Sequence, residues 1–66
     1  MAVVSTELIE REARGVRGRF AVDVWQQWLD LEPAKRLRFL SGYGVPAERL
    51  EPVAARIADL LEAEGI

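Results

Sequence analysis

The chain contains neither cysteine nor histidine, and this absence limits how a sequence of 66 residues can be stabilised. A domain of this length buries only about 60% of the surface that its unfolded chain exposes. Small domains therefore commonly add disulfides, structural metals or oligomerisation. Disulfides and zinc sites are not available to this chain, because cysteine forms disulfides and cysteine and histidine are the usual zinc ligands. The fold must therefore depend on an apolar core, and association with another protein surface is the remaining means of stabilisation.

The composition points to such an association. Half of the residues are hydrophobic and two are tryptophan, a high apolar fraction for a chain with so little interior. The net charge of −2 is too small to indicate an acidic or basic partner. The charges are unevenly placed, however: residues 11–38 carry seven Lys or Arg against four acids, and residues 48–66 carry five acids against two Arg. Such asymmetry suits self-association, although a solvated surface of mixed sign explains it more simply.

The positions of proline and glycine predict the helices of the second half of the chain. Pro33 and Pro52 suit the first turns of two helices, and Gly42 and Gly65 suit their ends. A short turn is expected at residues 47–50 between them. The last helix also carries the clearest apolar stripe, with the three-and-four spacing of one helical face. The stripe consists of Leu50, Val53, Ala54, Ile57, Leu60 and Leu61.

The first third of the sequence is less regular. A helix is expected over residues 7–14, and two glycines, Gly15 and Gly18, interrupt it at a combined cost of about 2 kcal/mol in a helix interior. Residues 16–22 alternate between apolar and polar side chains, which indicates a possible short extended segment with residues 2–4 as the one evident partner. Asp23 followed by Gln26 resembles a capping box and opens a further helix.

These patterns predict a mainly α fold class, a small bundle of three to four short helices. We expect residues 1–66 to form a single domain in which residues 1–19 are flexible or loosely attached. Enzymatic chemistry is not expected, since acid–base or nucleophilic work would fall to carboxylates, Lys35, Tyr43 or a few hydroxyls. No phosphate loop, calcium loop, membrane span or signal peptide is evident. The sequence therefore predicts no cofactor, no metal, no membrane contact and a cytoplasmic location.

We predict a non-enzymatic interaction or regulatory module that self-associates or docks on a larger protein. The sequence offers more large apolar groups than one minimal core requires, and tryptophan is frequent where binding energy concentrates. The second helix, with Trp25 and Trp28, would supply the anchor. The predicted partner-binding residues are Phe20, Val24, Trp25, Trp28, Leu60 and Leu61.

A second hypothesis is a small DNA- or RNA-binding regulator. Leu40, Gly44, Val45, Leu50 and Val53 have the spacing of a packed residue, a turn glycine and apolar anchors. In this respect residues 36–53 resemble the helix-turn-helix core of phage-repressor-type DNA-binding domains. The resemblance implies that the second helix reads DNA, although that helix contains a proline and exposes mostly acidic side chains. The cations that would meet a nucleic-acid backbone are Arg14, Arg17, Arg19, Lys35, Arg36 and Arg38.

Overall fold

Proline and glycine mark the helix boundaries in the second half of the chain, as the sequence predicts. The computed structural model describes residues 5–65. Its four α-helices are α1 (Thr6–Arg17), α2 (Val22–Asp30), α3 (Pro33–Ser41) and α4 (Leu50–Ala63). A turn of 3₁₀ helix at Ala47–Arg49 leads directly into α4. The predicted fold class, a mainly α bundle of short helices, is confirmed.

Helix α1 is longer than predicted, because it continues through Gly15 to Arg17. Ala13 and Val16 are buried in the core, and α1 packs along α4. This burial keeps the glycine-containing turn helical, since packing of an apolar face outweighs a propensity cost of about 1 kcal/mol per glycine. The predicted interruption at Gly15 is wrong. The single domain over residues 1–66 and the loose attachment of residues 1–19 stay predictions.

The extended segment predicted at residues 16–22 is absent from the described part of the chain. The Gly18 N–H donates to the Arg14 carbonyl at 3.0 Å, and the Arg19 N–H donates to the Val16 carbonyl at 3.1 Å, so a turn closes α1. Helix α2 follows after four residues. Residues 2–4, the expected strand partner, lie outside the described residues.

Two predicted helix caps differ in detail from the structure. Helix α2 has Ala21 as its N-cap, and Asp23 lies inside the first turn without a capping hydrogen bond. Its carboxylate still lies at the favourable end of the helix dipole. Gly42 has a φ of −64°, and the left-handed residue after α3 is Gly44, with a φ of 87°. The chain makes one more turn at that point before Val45 enters the core.

Helix α4 packs against both α1 and α3 and forms the centre of the bundle. Its inward stripe, Val53, Ile57 and Leu61, is fully buried, as the apolar spacing predicts. Helix α2 stays further from the other helices at the backbone, because two indole side chains fill the space between. The remaining core residues are Ala13, Val16, Trp25, Trp28, Leu40 and Val45. No helix within residues 5–65 has the length and apolarity needed to cross a membrane.

Candidate interaction surface

The two tryptophans lie inside the core of the chain itself. Trp25 is 0% exposed and Trp28 is 1% exposed, and their rings meet edge to face with centroids 5.5 Å apart. The Trp25 indole N–H donates to the Arg17 carbonyl at 3.0 Å, and the Trp28 indole N–H donates to the Arg36 carbonyl at 3.4 Å. The expectation that these side chains anchor a partner stays a prediction, since the structure contains a single chain. Their surface and their polar atoms are already engaged within one chain.

The tryptophans belong to one cluster that contains all five aromatic residues of the chain. Phe20 lies with its ring centroid 5.4 Å from Trp25 and 4.9 Å from Tyr43. Phe39 lies 5.1 Å from Tyr43. Pairs of this kind contribute about 0.5–1.5 kcal/mol beyond their buried area. Much of the apolar excess seen in the composition is thus used internally, and Tyr43, 40% exposed, marks the outer edge of the cluster.

The other predicted partner-binding residues do not form one exposed patch. Leu61 is fully buried within the chain, and its expected role in partner contact also stays a prediction. Phe20 and Leu60 are half-buried and pack against the core, and Val24 is half-buried on α2. Contact of these three half-buried residues with a partner stays a prediction.

Ion pairs join α1 to α4 and to the turn that precedes it. The pairs are Glu10–Arg56, Glu12–Arg49 and Arg17–Glu64. Each joins residues far apart in sequence, and the Glu12–Arg49 pair has an O–N distance of 2.6 Å. Part of the charge asymmetry in the sequence is therefore neutralised inside the chain rather than offered to a partner.

Glu10 is the carboxylate most affected by these pairs. It accepts hydrogen bonds from the Arg56 guanidinium and from Arg14, whose Nε lies at 2.6 Å. The Arg56 bond, followed by the Arg14 bond, lowers the pKa of Glu10 from 4.5 to about 2. The same contact raises the pKa of Arg56. The structural role of both groups leaves neither free for acid–base chemistry near neutral pH.

Arg36, predicted to meet nucleic acid, instead closes the connection between α2 and α3. Its Nε donates to the Leu31 carbonyl at 3.0 Å, and its terminal nitrogen donates to the Leu29 carbonyl. The guanidinium also lies over the Trp28 ring, 5.4 Å from the centroid. The donors of Arg36 thus satisfy the carbonyls at the end of α2, and its contact with nucleic acid stays a prediction.

The remaining predicted cations divide into two groups. Arg14 binds Glu10, and Arg17 binds both Glu64 and the Phe20 carbonyl, so neither is free to approach a phosphate without breaking an ion pair. Within residues 5–65, the other three are exposed and have no ion-pair partner. These three are Arg19, Lys35 and Arg38.

Residues 36–53 form two helices joined by a turn, as the helix-turn-helix resemblance implies. Pro52 lies in the first turn of α4, where its missing N–H has no intrahelical acceptor, so it does not interrupt the helix. The outward side of α4 carries exposed Glu51, Asp59 and Glu62, and its arginine, Arg56, binds Glu10. Such a face repels phosphates, so the structure gives α4 no basic surface for entering a DNA groove.

The clearest concave surface is a groove of about 230 Å³ between α3 and α4, with Trp28 at its inner wall. Pro33 and Leu37 form the α3 side, and Ala55 lies on the α4 side. The complete lining is Trp28, Pro33, Arg36, Leu37, Glu51, Ala54, Ala55 and Ala58. Small-molecule sites usually have about 300–1,000 Å³, so this groove is better sized for a side chain than for a metabolite.

The α4 side of this groove is acidic. Glu51 lines the groove, and Glu62 lies on the same stripe because positions 51, 55, 58 and 62 share one helical face. The exposed cations of α3, Lys35 and Arg38, are one or two positions from the lining residues Pro33 and Leu37, so they lie on another face of that helix.

Six of the eight groove residues were not predicted as site residues, the exceptions being Trp28 and Arg36. The sequence signal that could have indicated the others is a pair of alanines, Ala55 and Ala58, between two glutamates on one helical face. Within the described residues, no group of three acidic side chains is placed to hold a metal ion. Comparisons with protein-family models, with curated proteins and with solved structures found nothing that matches this chain.

Proposed function

We propose that this chain is a non-enzymatic protein-interaction module whose α3–α4 groove receives an apolar side chain of a protein partner. The single observation that supports this function is the groove itself, with apolar walls from Pro33, Leu37 and Ala55. Its two polar lining residues are Glu51, which is exposed, and Arg36, whose guanidinium already donates to the Leu29 and Leu31 carbonyls. A cytoplasmic location stays a prediction.

The carboxylates beside the groove define part of the chemistry of that partner. An apolar side chain would enter the groove, and a basic residue next to it would face Glu51 and Glu62 of α4. Rim charges of this kind select the orientation and the partner more than they add affinity. The expected occupant is therefore a protein surface that carries an apolar side chain next to a basic residue.

Selection from a random peptide library displayed on phage tests this function. The Ala55→Arg variant fills the groove with a long side chain at an exposed, helix-compatible position. Ala63→Arg is its matched control, because it places the same side chain on the same helix at an exposed position outside the groove lining. We expect peptides that bind the unchanged chain and the control but lose at least tenfold in affinity for Ala55→Arg. Peptides that bind all three equally would contradict the proposal.

Binding of nucleic acid is the second candidate function, and one observation favours it. Arg19, Lys35 and Arg38 are exposed and have no ion-pair partner among residues 5–65. A gel shift with mixed-sequence DNA and RNA at low salt tests it, since the phosphate contribution is strongest there. Retention that disappears in Lys35→Glu/Arg38→Glu would support this function, and migration of free nucleic acid at every protein concentration would refute it.

A further inference from the structure

We infer that the outer edge of the aromatic cluster, together with the exposed cations beside it, binds single-stranded nucleic acid. This inference rests on the second candidate function, binding of nucleic acid, and names the form of nucleic acid and the surface that would hold it. We call this surface the aromatic–cation surface. It consists of the rings of Phe20, Phe39 and Tyr43 and the cations Arg19, Lys35 and Arg38. The lining of the α3–α4 groove contains none of these residues.

Three aromatic rings, from the connection after α1, from α3 and from the turn that follows it, meet in one group. The ring centroid of Tyr43 lies 4.9 Å from that of Phe20 and 5.1 Å from that of Phe39. Tyr43 is 40% exposed, and Phe20 and Phe39 are half-buried. Every base has a π-face, so the bases of a single strand stack on exposed aromatic side chains with little dependence on sequence. The cluster offers such a ring at its outer edge, held by its two neighbours.

The contacts between these rings join two segments of the chain that contain no acidic residue. Residues 13–22 carry three arginines and no carboxylate, and residues 33–47 carry one lysine, two arginines and no carboxylate. The contacts of Phe20 with Phe39 and with Tyr43 bring the two segments together. The net charge of −2 for the whole chain therefore conceals a local excess of cations around the rings.

Half of these six cations are exposed and have no ion-pair partner among residues 5–65, namely Arg19, Lys35 and Arg38. Positions three and four apart on a helix are neighbours, so Lys35 lies beside both Arg38 and Phe39 on one side of α3. Arg19 directly precedes Phe20 in the chain. Each segment thus supplies a cation adjacent to one of its aromatic residues. Cations in this position can bind the phosphates on either side of a stacked base.

The carboxylates around this surface do not occupy its cations. Glu64 of α4 binds Arg17, so these two charges cancel. Asp23 lies in the first turn of α2 and Glu32 directly before α3, and within the described residues no ion pair joins either to the cations of the surface. Both lie at helix starts, whereas Arg38 lies in the last turn of α3. We therefore expect the phosphates on the side of Arg38.

A single strand fits this surface better than a duplex does. A duplex covers the faces of its bases, and its sequence is read by an element that enters a groove. Helix α4, the second helix of the helix-turn-helix resemblance, has an acidic outward side and would be repelled there. Aromatic side chains contact unpaired bases. An acidic peptide would use the cations alone and would leave the exposed ring without a role.

Fluorescence anisotropy of labelled oligonucleotides tests the inference on the full chain. The probes are a mixed-sequence single strand of about 12 nucleotides, as DNA and as RNA, within the range of known site sizes. The duplex of the same sequence and an abasic DNA strand of the same length, which keeps the phosphates and lacks the bases, are the comparison probes. At low salt we expect at least one single strand to bind at least about fivefold more tightly than either comparison probe, because only a single strand can add base stacking.

Two variants of Tyr43 test the stacking. Tyr43→Phe keeps the aromatic ring and should bind single strands as the unchanged chain does. Tyr43→Leu keeps an apolar side chain at the edge of the cluster but removes the ring, so single-strand binding should weaken at least about fivefold. Binding of the abasic strand should be equal in both variants. Circular dichroism of each variant verifies that the helices remain.

The salt dependence tests the cations. For single strands the logarithm of the binding constant falls with the logarithm of the salt concentration by about 0.7 for each neutralised phosphate, so three cations give a slope of about −2. Lys35→Gln/Arg38→Gln leaves one of them and should reduce the slope to about −0.7. Arg11→Gln is the matched control, because it removes an exposed cation of α1 outside the two acid-free segments, and it should leave the slope unchanged.

The outcomes separate this inference from the functions proposed above. Equal binding of single strands, duplex and abasic strand, or a Tyr43→Leu variant that binds as the unchanged chain does, would overturn the inference and leave nucleic-acid binding standing. Absence of binding to every oligonucleotide at low salt would overturn both, without any effect on peptide binding in the groove. Binding to vesicles that contain phosphatidylglycerol, with no binding to single strands, would assign the cations to a membrane surface and would also overturn the inference.

Discussion

Gly15 offers a sharp test of the N-terminal helix. It lies within α1, two residues before the last helical residue Arg17, and has no positive φ. A Cβ atom built at this position meets no heavy atom within 4 Å. Nothing in the packing of the described residues therefore requires glycine here.

Gly15→Ala should stabilise the protein. Alanine is favoured over glycine in a helix interior by about 0.8–1.0 kcal/mol. The position lies in the last turn, so we expect an increase of about 0.5–1 kcal/mol in the free energy of unfolding. For a domain of this size, that corresponds to an increase of about 2–8 °C in Tm. Thermal and urea unfolding followed by circular dichroism at 222 nm would measure both quantities.

Gly44→Ala is the contrasting variant for the same assay. Gly44 also has open space around its missing Cβ, but its φ is 87°. A left-handed backbone costs an L-residue about 1–2 kcal/mol, so this variant should lower the Tm. If the chain near Gly15 were a flexible connection, alanine would restrict the folded and unfolded states alike. An unchanged Tm for Gly15→Ala, together with a lowered one for Gly44→Ala, would refute a helical α1 at that residue.

Three further predictions concern stability and the core. The folded pKa of Glu10 is about 2, below its unfolded value of 4.5. Its contribution to stability is therefore complete above pH 4.5 and is lost as the pH falls toward 2. Over this range the urea midpoint of Glu10→Gln should decrease less than that of the unchanged chain. Arg36→Met should destabilise the fold by about 1.5–3 kcal/mol, because two carbonyls lose a charged donor. The control Arg38→Met changes an exposed residue and should alter the free energy of unfolding by no more than about 0.5 kcal/mol. Equal urea midpoints for the two variants would contradict the role of Arg36. Trp25 and Trp28 should show blue-shifted fluorescence and little quenching by acrylamide at concentrations where the chain is monomeric, and strong quenching in that state would contradict their burial.

The exposure of each residue also indicates which side chains are open to substitution. Exposed positions such as Ala55 in the groove, and Lys35 and Arg38 on another face of α3, contribute little to the core of one chain, so their variants report on binding rather than on folding. Leu37 is different, because it is half-buried and lines the groove from within the bundle. A polar residue there would change folding and binding together.

The sequence by itself determined the local features of the fold. Pro33 fixes its own φ and lacks an N–H, and Gly65 adopts a φ of 82° that other residues rarely adopt. Both residues therefore indicate helix boundaries without knowledge of distant contacts. The sequence also predicted the buried stripe Val53, Ile57 and Leu61, because a helical period of 3.6 residues places these side chains on one face.

The tertiary structure decided what depends on residues far apart in the chain. Helix α1 continues through Gly15 because α4 covers its apolar side, and Trp25 is buried because Phe20 and Phe39 surround its ring. Sequence composition counts arginines and tryptophans but does not state their partners. Arg36 bound to carbonyls and an indole enclosed by other rings are outcomes of long-range packing. The groove likewise exists only because α3 and α4 pack against each other, and its walls come from residues that are distant in sequence.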